Sequence, residues 1–232
     1  MLSVRDLHAG YGDAEVLFGV DLDVGAGEVV TLLGRNGMGK TTTVSTIMGL
    51  VRARAGAVSV NGVDLTGAAP FRLAQAGIGL VPEGRQIFPT LSVEENLIAT
   101  AAARFGTARW TLPRVYKFLP RLNERRTNRG NELSGGEQQM LAIGRALMTN
   151  PKLVILDEAT EGLAPIIRQE IWSCLAALKR EGEAILVIDK NVDALTRIAD
   201  RHVVLEKGRV VWTGTSADLA GDSAVKDRYL HL

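Results

Sequence analysis

The 232-residue sequence has little of three things: cysteine, net charge and long apolar runs. Its single cysteine, Cys174, cannot form an internal disulfide, so we expect a reducing compartment. The N-terminal stretch lacks an apolar core of the signal-peptide type, and no uncharged apolar run approaches the roughly 18 residues that span a bilayer. These absences predict a soluble chain that reaches a membrane only through partner subunits.

The charge is nearly balanced, with 27 Lys and Arg against 26 Asp and Glu. We therefore expect no nucleic-acid partner attracted by the net charge of the chain. One segment differs, because residues 104–129 contain eight basic residues and a single acidic one. Part of this segment predicts a helix with a basic face, which is either a solvated surface or a docking surface for an acidic partner. That face consists of Arg114, Lys117, Arg121 and Arg125.

Short apolar runs alternate with longer helical patterns along the chain. Five of these runs are apolar on both faces, which is typical of a mainly parallel sheet with helices on both sides. They are "EVVTLLG", "GIGLVP", "KLVILD", "EAILVID" and "HVVLE". The first 30 residues and the run "RAGAVSVNG" are more mixed, so we expect an antiparallel β edge lobe there. The run "LEKGRVVWTG" predicts a hairpin with Lys207 and Gly208 at its turn.

The length favours one α/β domain over residues 1–232, on a prior of roughly 100 to 200 residues per domain. Between "LSVEENL" and "NELSGG" the pattern becomes wholly helical. This change predicts an inserted helical lobe over approximately residues 92–135. The expected apolar face of the lobe consists of Val115, Phe118, Leu119 and Leu122.

The stretch "GRNGMGKT", residues 34–41, fits the phosphate-binding pattern G-x-x-x-x-G-K-[ST] between a predicted strand and a predicted helix. Gly37 and Gly39 would let backbone N–H groups turn toward a phosphate, and the helix N-terminus adds partial positive charge. Lys40 would bridge the β- and γ-phosphates, and the Thr41 hydroxyl would ligate Mg²⁺. The sequence therefore predicts a P-loop NTPase core.

A second run, "LVILDEAT", ends a predicted strand in the carboxylates of Asp157 and Glu158. Ligands bind at this edge of open α/β sheets, so the pair is expected beside the P-loop. Asp157 would hold the Mg²⁺ ion, and Glu158 would accept a proton from the attacking water. The alternative is that both carboxylates cap the next helix.

A third stretch, "NELSGGEQQMLAIGRAL", places Ser134 and Glu137 three residues apart at a helix start, which is a capping box. Gly135 and Gly136 also expose the helix N-terminus, which would make a second anion site. One molecule does not need both sites. Two copies facing head to tail could each close over the other's nucleotide.

Together these motifs resemble those of the ATP-binding-cassette ATPases, with "LSGGEQQ" as the most specific element, and the resemblance covers essentially all residues. It implies that ATP lies between the P-loop of one subunit and residues 134–138 of another, and that Tyr11 stacks on adenine. It also implies transmembrane permease subunits, a second ATPase subunit in a homodimer or heterodimer, and indirectly a solute-binding protein. The protein would then be cytoplasmic and peripheral on the inner face of the cell membrane. The implied ATP-binding residues are Tyr11, Gly34, Arg35, Asn36, Gly37, Gly39, Lys40, Thr41, Thr42, Ser134, Gly135, Gly136, Glu137 and Gln138.

Three positions depart from the pattern of that family. Glu83 stands where most members have a glutamine that contacts Mg²⁺, so the expected Mg²⁺ site is Thr41, Glu83 and Asp157. Ala164 replaces an aspartate that makes a contact across subunits. Lys190 stands at the position of a histidine that contacts the γ-phosphate, and we expect it either to take that catalytic role beside Glu158 or to be a solvated loop lysine.

A narrower resemblance lies in "LVPEGRQIFPTLSVEENL", "DEATEGLAPII" and "GRVVWTGTSADLAGD". These runs are similar to the ATPase subunit of branched-chain amino-acid importers that carries "VPEGR" and "GLAP". The resemblance implies an ATP-hydrolysing, energy-coupling subunit of such an importer. The alternatives are import of urea or amides, export of a lipid-linked glycan, and a soluble ATPase that does not transport.

Overall fold

The computed structural model describes residues 1–230, which form ten strands arranged in two sheets. The strands are β1 (Leu2–Tyr11), β2 (Ala14–Val24), β3 (Val29–Leu33), β4 (Ala53–Val60), β5 (Val63–Asp64), β6 (Ile78–Val81), β7 (Leu153–Asp157), β8 (Ala184–Ile188), β9 (Arg201–Glu206) and β10 (Arg209–Thr215). The α-helices are α1 (Lys40–Ile47), α2 (Pro70–Gln75), α3 (Val93–Ala99), α4 (Leu112–Phe118), α5 (Pro120–Glu124), α6 (Gly135–Met148), α7 (Pro165–Arg180), α8 (Val192–Ile198), α9 (Ser216–Gly221) and α10 (Ser223–Val225). A 3₁₀ turn covers Gly130–Glu132, and a π-helical turn covers Lys226–Leu230.

The larger sheet has the order β10-β9-β3-β8-β7-β6, and every pairing in it is parallel except that of β10 with β9. All residues of β3, β7 and β8 are buried. Alternate residues of β3 enter two different hydrophobic cores: Val30 and Leu32 face one, Val29 and Leu33 the other. The predicted parallel sheet, covered on both faces, is therefore confirmed.

The smaller sheet is antiparallel, with the order β2-β1-β4-β5, as the mixed pattern at the start of the chain predicts. It shares one hydrophobic core with α1 and one face of the larger sheet. The predicted hairpin is also present, because Glu206 pairs with Arg209 and the two turn residues between them have positive φ, 47° at Lys207 and 72° at Gly208. Gly208 accepts a backbone hydrogen bond from Phe18 at 2.8 Å, so this hairpin packs on β2.

The segment predicted to be wholly helical is only partly so, and that expectation is wrong in detail. It contains the short helices α3, α4 and α5, while residues 100–111 and 125–129 are not α-helical. Pro120 ends α4, because the residue before a proline is disfavoured in the helical region, and Leu119 has φ −125° and ψ 75°. α5 then starts at the proline itself.

The predicted apolar face of this segment does pack as expected. Val115, Leu119 and Leu122 are buried, and Phe118 is partly buried against the same core. The face lies on α6 at Gly144, where an added Cβ would come within 3.2 Å of Leu122 Cδ1. A glycine is needed at this point because the helices approach closely. Among residues 1–230, no helix is both long and apolar enough to cross a lipid bilayer.

Candidate functional site

The P-loop connects β3 to α1 and depends on glycines with positive φ. The values are 142° at Gly34, 78° at Gly37 and 102° at Gly39, a region that residues with a Cβ rarely adopt. An added Cβ on Gly34 would lie 2.3 Å from the carbonyl oxygen of Leu205, so packing as well as φ requires glycine there. At Gly37 an added Cβ would meet no atom within 4 Å, so only φ selects glycine at that position.

Lys40 is the first residue of α1, and its side chain is held inside the loop. Its Nζ donates hydrogen bonds to the carbonyl oxygens of Gly34 at 2.9 Å and Arg35 at 3.0 Å. Burial lowers the pKa of Lys40, and the nearby carboxylate of Glu158 acts in the opposite direction. The ammonium group therefore lies at the centre of the phosphate-binding loop, close to the predicted base.

The P-loop lines a cleft of about 440 Å³. Its lining comprises Val16, Asn36, Gly37, Gly39, Lys40, Thr41, Thr42, Glu83, Glu158, Glu161 and Lys190. Seven of the predicted ATP-binding or metal residues thus meet at one place, together with both predicted catalytic residues, although the sequence separates them by up to about 150 positions. Gly34 and Arg35 belong to the same loop and hold Lys40 through their carbonyl groups.

Asp157 ends β7 with its side chain buried, and its Oδ1 atom has no hydrogen-bond partner within residues 1–230. Burial first, and then the charge of Glu83, raise the pKa of Asp157 to about 6, while the Thr41 hydroxyl and Lys40 oppose this shift. A buried carboxylate oxygen without a partner requires an explanation, and a cation is one. Carboxylate and hydroxyl oxygens are ligands that Mg²⁺ prefers, so the predicted set of Thr41, Glu83 and Asp157 fits that ion chemically.

Glu158 follows Asp157 with φ 50°, a conformation that costs a residue with a side chain about 1–3 kcal/mol. Its backbone N–H donates to the carbonyl oxygen of Ile188 at 2.8 Å, which fixes it against the end of β8. A hydrogen bond with Glu161 and burial raise the pKa of Glu158 to about 7, whereas the pKa of Glu161 is lowered by the same hydrogen bond and by Lys190. A base with a pKa near 7 suits proton abstraction at neutral pH.

Lys190 lies in the loop between β8 and α8. Its Nζ is 2.6 Å from Glu161 Oε1 and 3.8 Å from Glu158 Oε2. The residue therefore lies in the cleft, and its closest anion is the side chain of Glu161, which the sequence analysis did not include. The available signal was the third acidic residue of "DEATEG", three positions after Glu158.

The capping box at the start of α6 is confirmed. The Ser134 hydroxyl accepts from the Glu137 N–H at 3.3 Å, and the Glu137 carboxylate accepts from the Ser134 N–H at 2.8 Å. None of residues 134–138, all of which the structure describes, lines the P-loop cleft of the same chain. Gly136 also has a packing role, because an added Cβ would lie 2.5 Å from Ile167 of α7.

Gln138 accepts a hydrogen bond from Arg85 Nη1 at 3.2 Å, which links α6 to the loop that carries Glu83. The sequence analysis did not single out Arg85. Tyr11 lies at the end of β1 with 54% of its surface exposed. Its hairpin is held by Arg54, which donates to the carbonyl oxygens of Gly12 and Ala14 at 2.6 and 3.1 Å. The exposed ring is thus available for stacking.

A parallel α/β sheet with a glycine-rich loop, a buried lysine and two carboxylates at one edge defines a P-loop nucleotide-hydrolysing domain. The sequence profile of the ABC transporter family matches residues 17–161, and the chain belongs to that family. It is therefore an ATPase subunit of the kind that serves a transporter, and proteins of this kind bind ATP or ADP.

Two curated relatives align with nearly the whole chain. The high-affinity branched-chain amino acid transport ATP-binding protein BraG of Pseudomonas aeruginosa is 42% identical over 234 residues, which cover 99% of both proteins. The lipopolysaccharide export system ATP-binding protein LptB of Haemophilus influenzae is 35% identical, over 99% of this chain and 97% of the relative.

Solved structures of cassettes agree with the fold. The ATP-binding subunit of an ABC transporter has a TM-score of 0.85 and 31% identity, covering 99% of this chain and 96% of the other. An ATP-binding cassette in its ADP conformation has a TM-score of 0.80 and 27% identity, covering 98% and 97%. The predicted fold class, a P-loop core with mixed parallel and antiparallel strands, is confirmed.

Proposed function

We propose that the chain is the energy-coupling ATPase subunit of an importer for branched-chain amino acids. The observation that carries this proposal is the 42% identity over 99% of the chain with BraG, whose name states that transport role. Export of a lipid-linked glycan is the second candidate, because LptB also aligns over 99% of the chain, but at 35% identity. An ATPase subunit of this kind does not contact the transported solute. The solute must therefore be identified from the membrane subunits that bind this chain.

The P-loop backbone and Lys40 would bind the β- and γ-phosphates of ATP, and the exposed ring of Tyr11 would stack on adenine. Thr41, Glu83 and Asp157 would hold Mg²⁺, which supplies positive charge to the transferred phosphoryl group. Glu158 would then accept the proton of the attacking water, since it lies in the same cleft as Lys40 with a pKa near 7.

The active unit is a head-to-tail pair. Residues 134–138 present a capped helix N-terminus but do not line the cleft of their own chain, so a second cassette is needed to bring this anion site to the nucleotide. The partner is either a second copy or a related ATPase. Ala164, the N-cap residue just before α7, would offer only its methyl group at this interface.

The basic face of the helical lobe is engaged within the chain. Arg114 pairs with Glu181, Arg121 with Glu170 and Arg125 with Glu137, at 2.6, 2.8 and 3.3 Å; Lys117 remains exposed. These pairs favour the interpretation of a solvated surface over that of a docking surface for an acidic partner. An electrostatic role in docking is therefore not assigned to Arg121 or Arg125.

A better docking surface on the same lobe is a groove of about 850 Å³ between α3 and the segment after α5. Ile98 in this groove is 53% exposed, and Arg126 and Arg129 lie along it. We place the contact with the transmembrane permease subunits here. This contact would hold the protein on the inner face of the membrane, and the solute-binding protein would act only indirectly.

The test is purification of the tagged chain from membranes, followed by identification of the bound subunits. Permease subunits of an amino-acid importer are expected, whereas subunits of a glycan exporter would favour the second candidate and ribosomal proteins would contradict both. Arg126→Glu should reduce the recovered permease without changing ATP affinity. Arg121→Glu is the matched control, because its guanidinium is occupied by Glu170. Equal recovery with both variants would contradict the assigned groove.

A further inference from the structure

Among residues 1–230, the carboxylate nearest to the Lys190 ammonium group is that of Glu161. The distance from Nζ to Glu161 Oε1 is 2.6 Å, against 3.8 Å to Glu158 Oε2. Both Lys190 and Glu161 line the cleft that holds the P-loop, and the side chains of both are 48% exposed. The Lys190 ammonium group is therefore already paired with a carboxylate in the cleft where the phosphates of a nucleotide would bind.

Glu161 adds a third carboxylate to a crowded part of the cleft. Ligand atoms of Glu83, Glu158 and Glu161 all lie within 4.8 Å of one another. Among the residues that line this cleft, the cationic side chains are Lys40 and Lys190. Because a nucleotide triphosphate is itself strongly anionic, an unpaired Glu161 would oppose its binding. The charge of Lys190 removes this opposition.

The two loops that carry the pair are fixed independently of it. Asp189, next to Lys190, is buried and accepts the Thr160 hydroxyl at 2.6 Å and the Thr160 N–H at 3.2 Å. The backbone N–H of Glu158 is bonded to Ile188 at 2.8 Å. The loops after β7 and β8 are thus joined by buried contacts, so removal of the Lys190 side chain changes charge in the cleft without releasing either loop.

We propose that Lys190 serves ATP hydrolysis through Glu161: the ammonium group neutralises and orients the Glu161 carboxylate, which in turn positions the side chain of Glu158. Lys190 and Glu161 are then one positioning unit, and Lys190 is not a direct ligand of the γ-phosphate. This inference rests on the assignment of Glu158 as the base in the proposed function. It goes beyond that function because it makes the contribution of Lys190 to hydrolysis depend on the presence of Glu161.

The distinguishing experiment is a double-mutant cycle in the full-length chain, with equilibrium MgATP binding and steady-state hydrolysis measured separately. Lys190→Ala should weaken binding about fivefold, the upper range for one exposed ion pair, because Glu161 is left unpaired. Glu161→Ala should leave MgATP binding unchanged. It should lower kcat about tenfold, because the Glu158 side chain is no longer held in position by Glu161. The double variant should bind MgATP within about twofold of the wild type, so the second change restores what the first removed.

Two controls separate positioning from general stability. Lys190→Arg keeps the charge and should stay near the wild type. Lys179→Ala removes a lysine with an equally short contact, 2.6 Å to Asp200, outside the cleft, and should change neither binding nor kcat. Equal weak binding by Lys190→Ala and the double variant would overturn the inference and assign Lys190 to the nucleotide directly. Wild-type behaviour of Lys190→Ala would overturn it as well. Undiminished hydrolysis by Glu158→Gln would instead refute the assigned base.

Discussion

His202 makes the stability of this fold depend on pH in the acidic range. It lies on β9 with no exposed surface; its Nδ1 is 2.7 Å from the Thr31 hydroxyl and its Nε2 is 2.8 Å from the Ser216 hydroxyl. Because Ser216 donates its proton to the carbonyl oxygen of Ala199, it accepts from His202, and Thr31 donates to the other nitrogen. The ring is therefore neutral, and burial lowers its pKa to about 4.

The sign of the effect follows from this lowered pKa. An unfolded histidine with a pKa near 6.5 binds a proton before the folded one does, so stability is complete above pH 6.5 and falls between 6.5 and 4. A difference of about 2.5 pKa units corresponds to roughly 3 kcal/mol. Since a domain has only about 5–15 kcal/mol of stability, this loss is large.

The assay is urea unfolding of the wild type and of His202→Gln at several values between pH 7.5 and pH 4.5. Glutamine keeps an amide donor for Ser216 but does not titrate. The variant should be less stable at neutral pH, and the difference should shrink by about 2–3 kcal/mol toward pH 4.5. Taking the difference removes the contributions of other titrating groups, including Asp157 and Glu158. Parallel stability curves for the two proteins would refute the reasoning.

Further predictions concern the P-loop and the base. Lys40→Ala should abolish ATP binding measured by equilibrium titration, whereas Glu158→Gln should retain binding and lose hydrolysis, because only the first removes a phosphate-binding charge; wild-type turnover by Glu158→Gln would show that another group is the base. Gly34→Ala should destabilise the protein by about 2–3 kcal/mol in chemical unfolding, because its Cβ would collide with the Leu205 carbonyl. Gly37→Ala should lower the stability by only about 1 kcal/mol, because the added Cβ meets no atom within 4 Å. Equal losses of stability in the two variants would contradict the packing argument.

The parallel strands and the P-loop could be predicted because their signals are local. A run that is apolar on both faces specifies a strand covered on both sides, and β3, β7 and β8 are buried throughout. The glycine spacing of the P-loop likewise reflects backbone φ, which depends on each residue itself. The same holds for the capping box of Ser134 and Glu137, whose partners are three residues apart.

The helical lobe was predicted less well, because distant contacts decide its shape. Residues 100–111 do not continue α3, and part of this stretch is held by Asn150, whose side chain donates to the carbonyl oxygens of Ala102 and Trp110 and accepts the Trp110 N–H. These partners are 40 to 48 positions apart. Periodicity reports which face of a helix is apolar, but it does not report a side chain elsewhere that satisfies the backbone of a loop.

Glu161 shows the same limit within the site. The proposed role of Glu161 depends on its contact with Lys190, which is 29 positions away in the sequence. This contact forms because β7 and β8 are neighbours in the sheet. The sequence analysis assigned a catalytic role to Lys190 only because it stands at the position of the family's histidine. The order of the strands is what places the ammonium group beside Glu161.

The loop that carries Glu83 connects the cleft with the helical lobe through one backbone turn. Gly84, Arg85 and Gln86 have successive positive φ values of 74°, 66° and 46°. Such a run is strained for residues with side chains and persists because the surroundings hold it.

Two residues of α6 provide that hold. Gln138 accepts from Arg85, and Arg145 donates to the carbonyl oxygen of Gln86 at 2.7 Å while its guanidinium lies 4.2 Å from the Phe88 ring centre. Glu83 therefore lines the cleft from one end of a turn whose other end is fixed to α6, the helix that also begins with Ser134. Because these contacts join the turn to α6, we expect a displacement of α6 relative to β6 to shift the Glu83 carboxylate together with the start of α6.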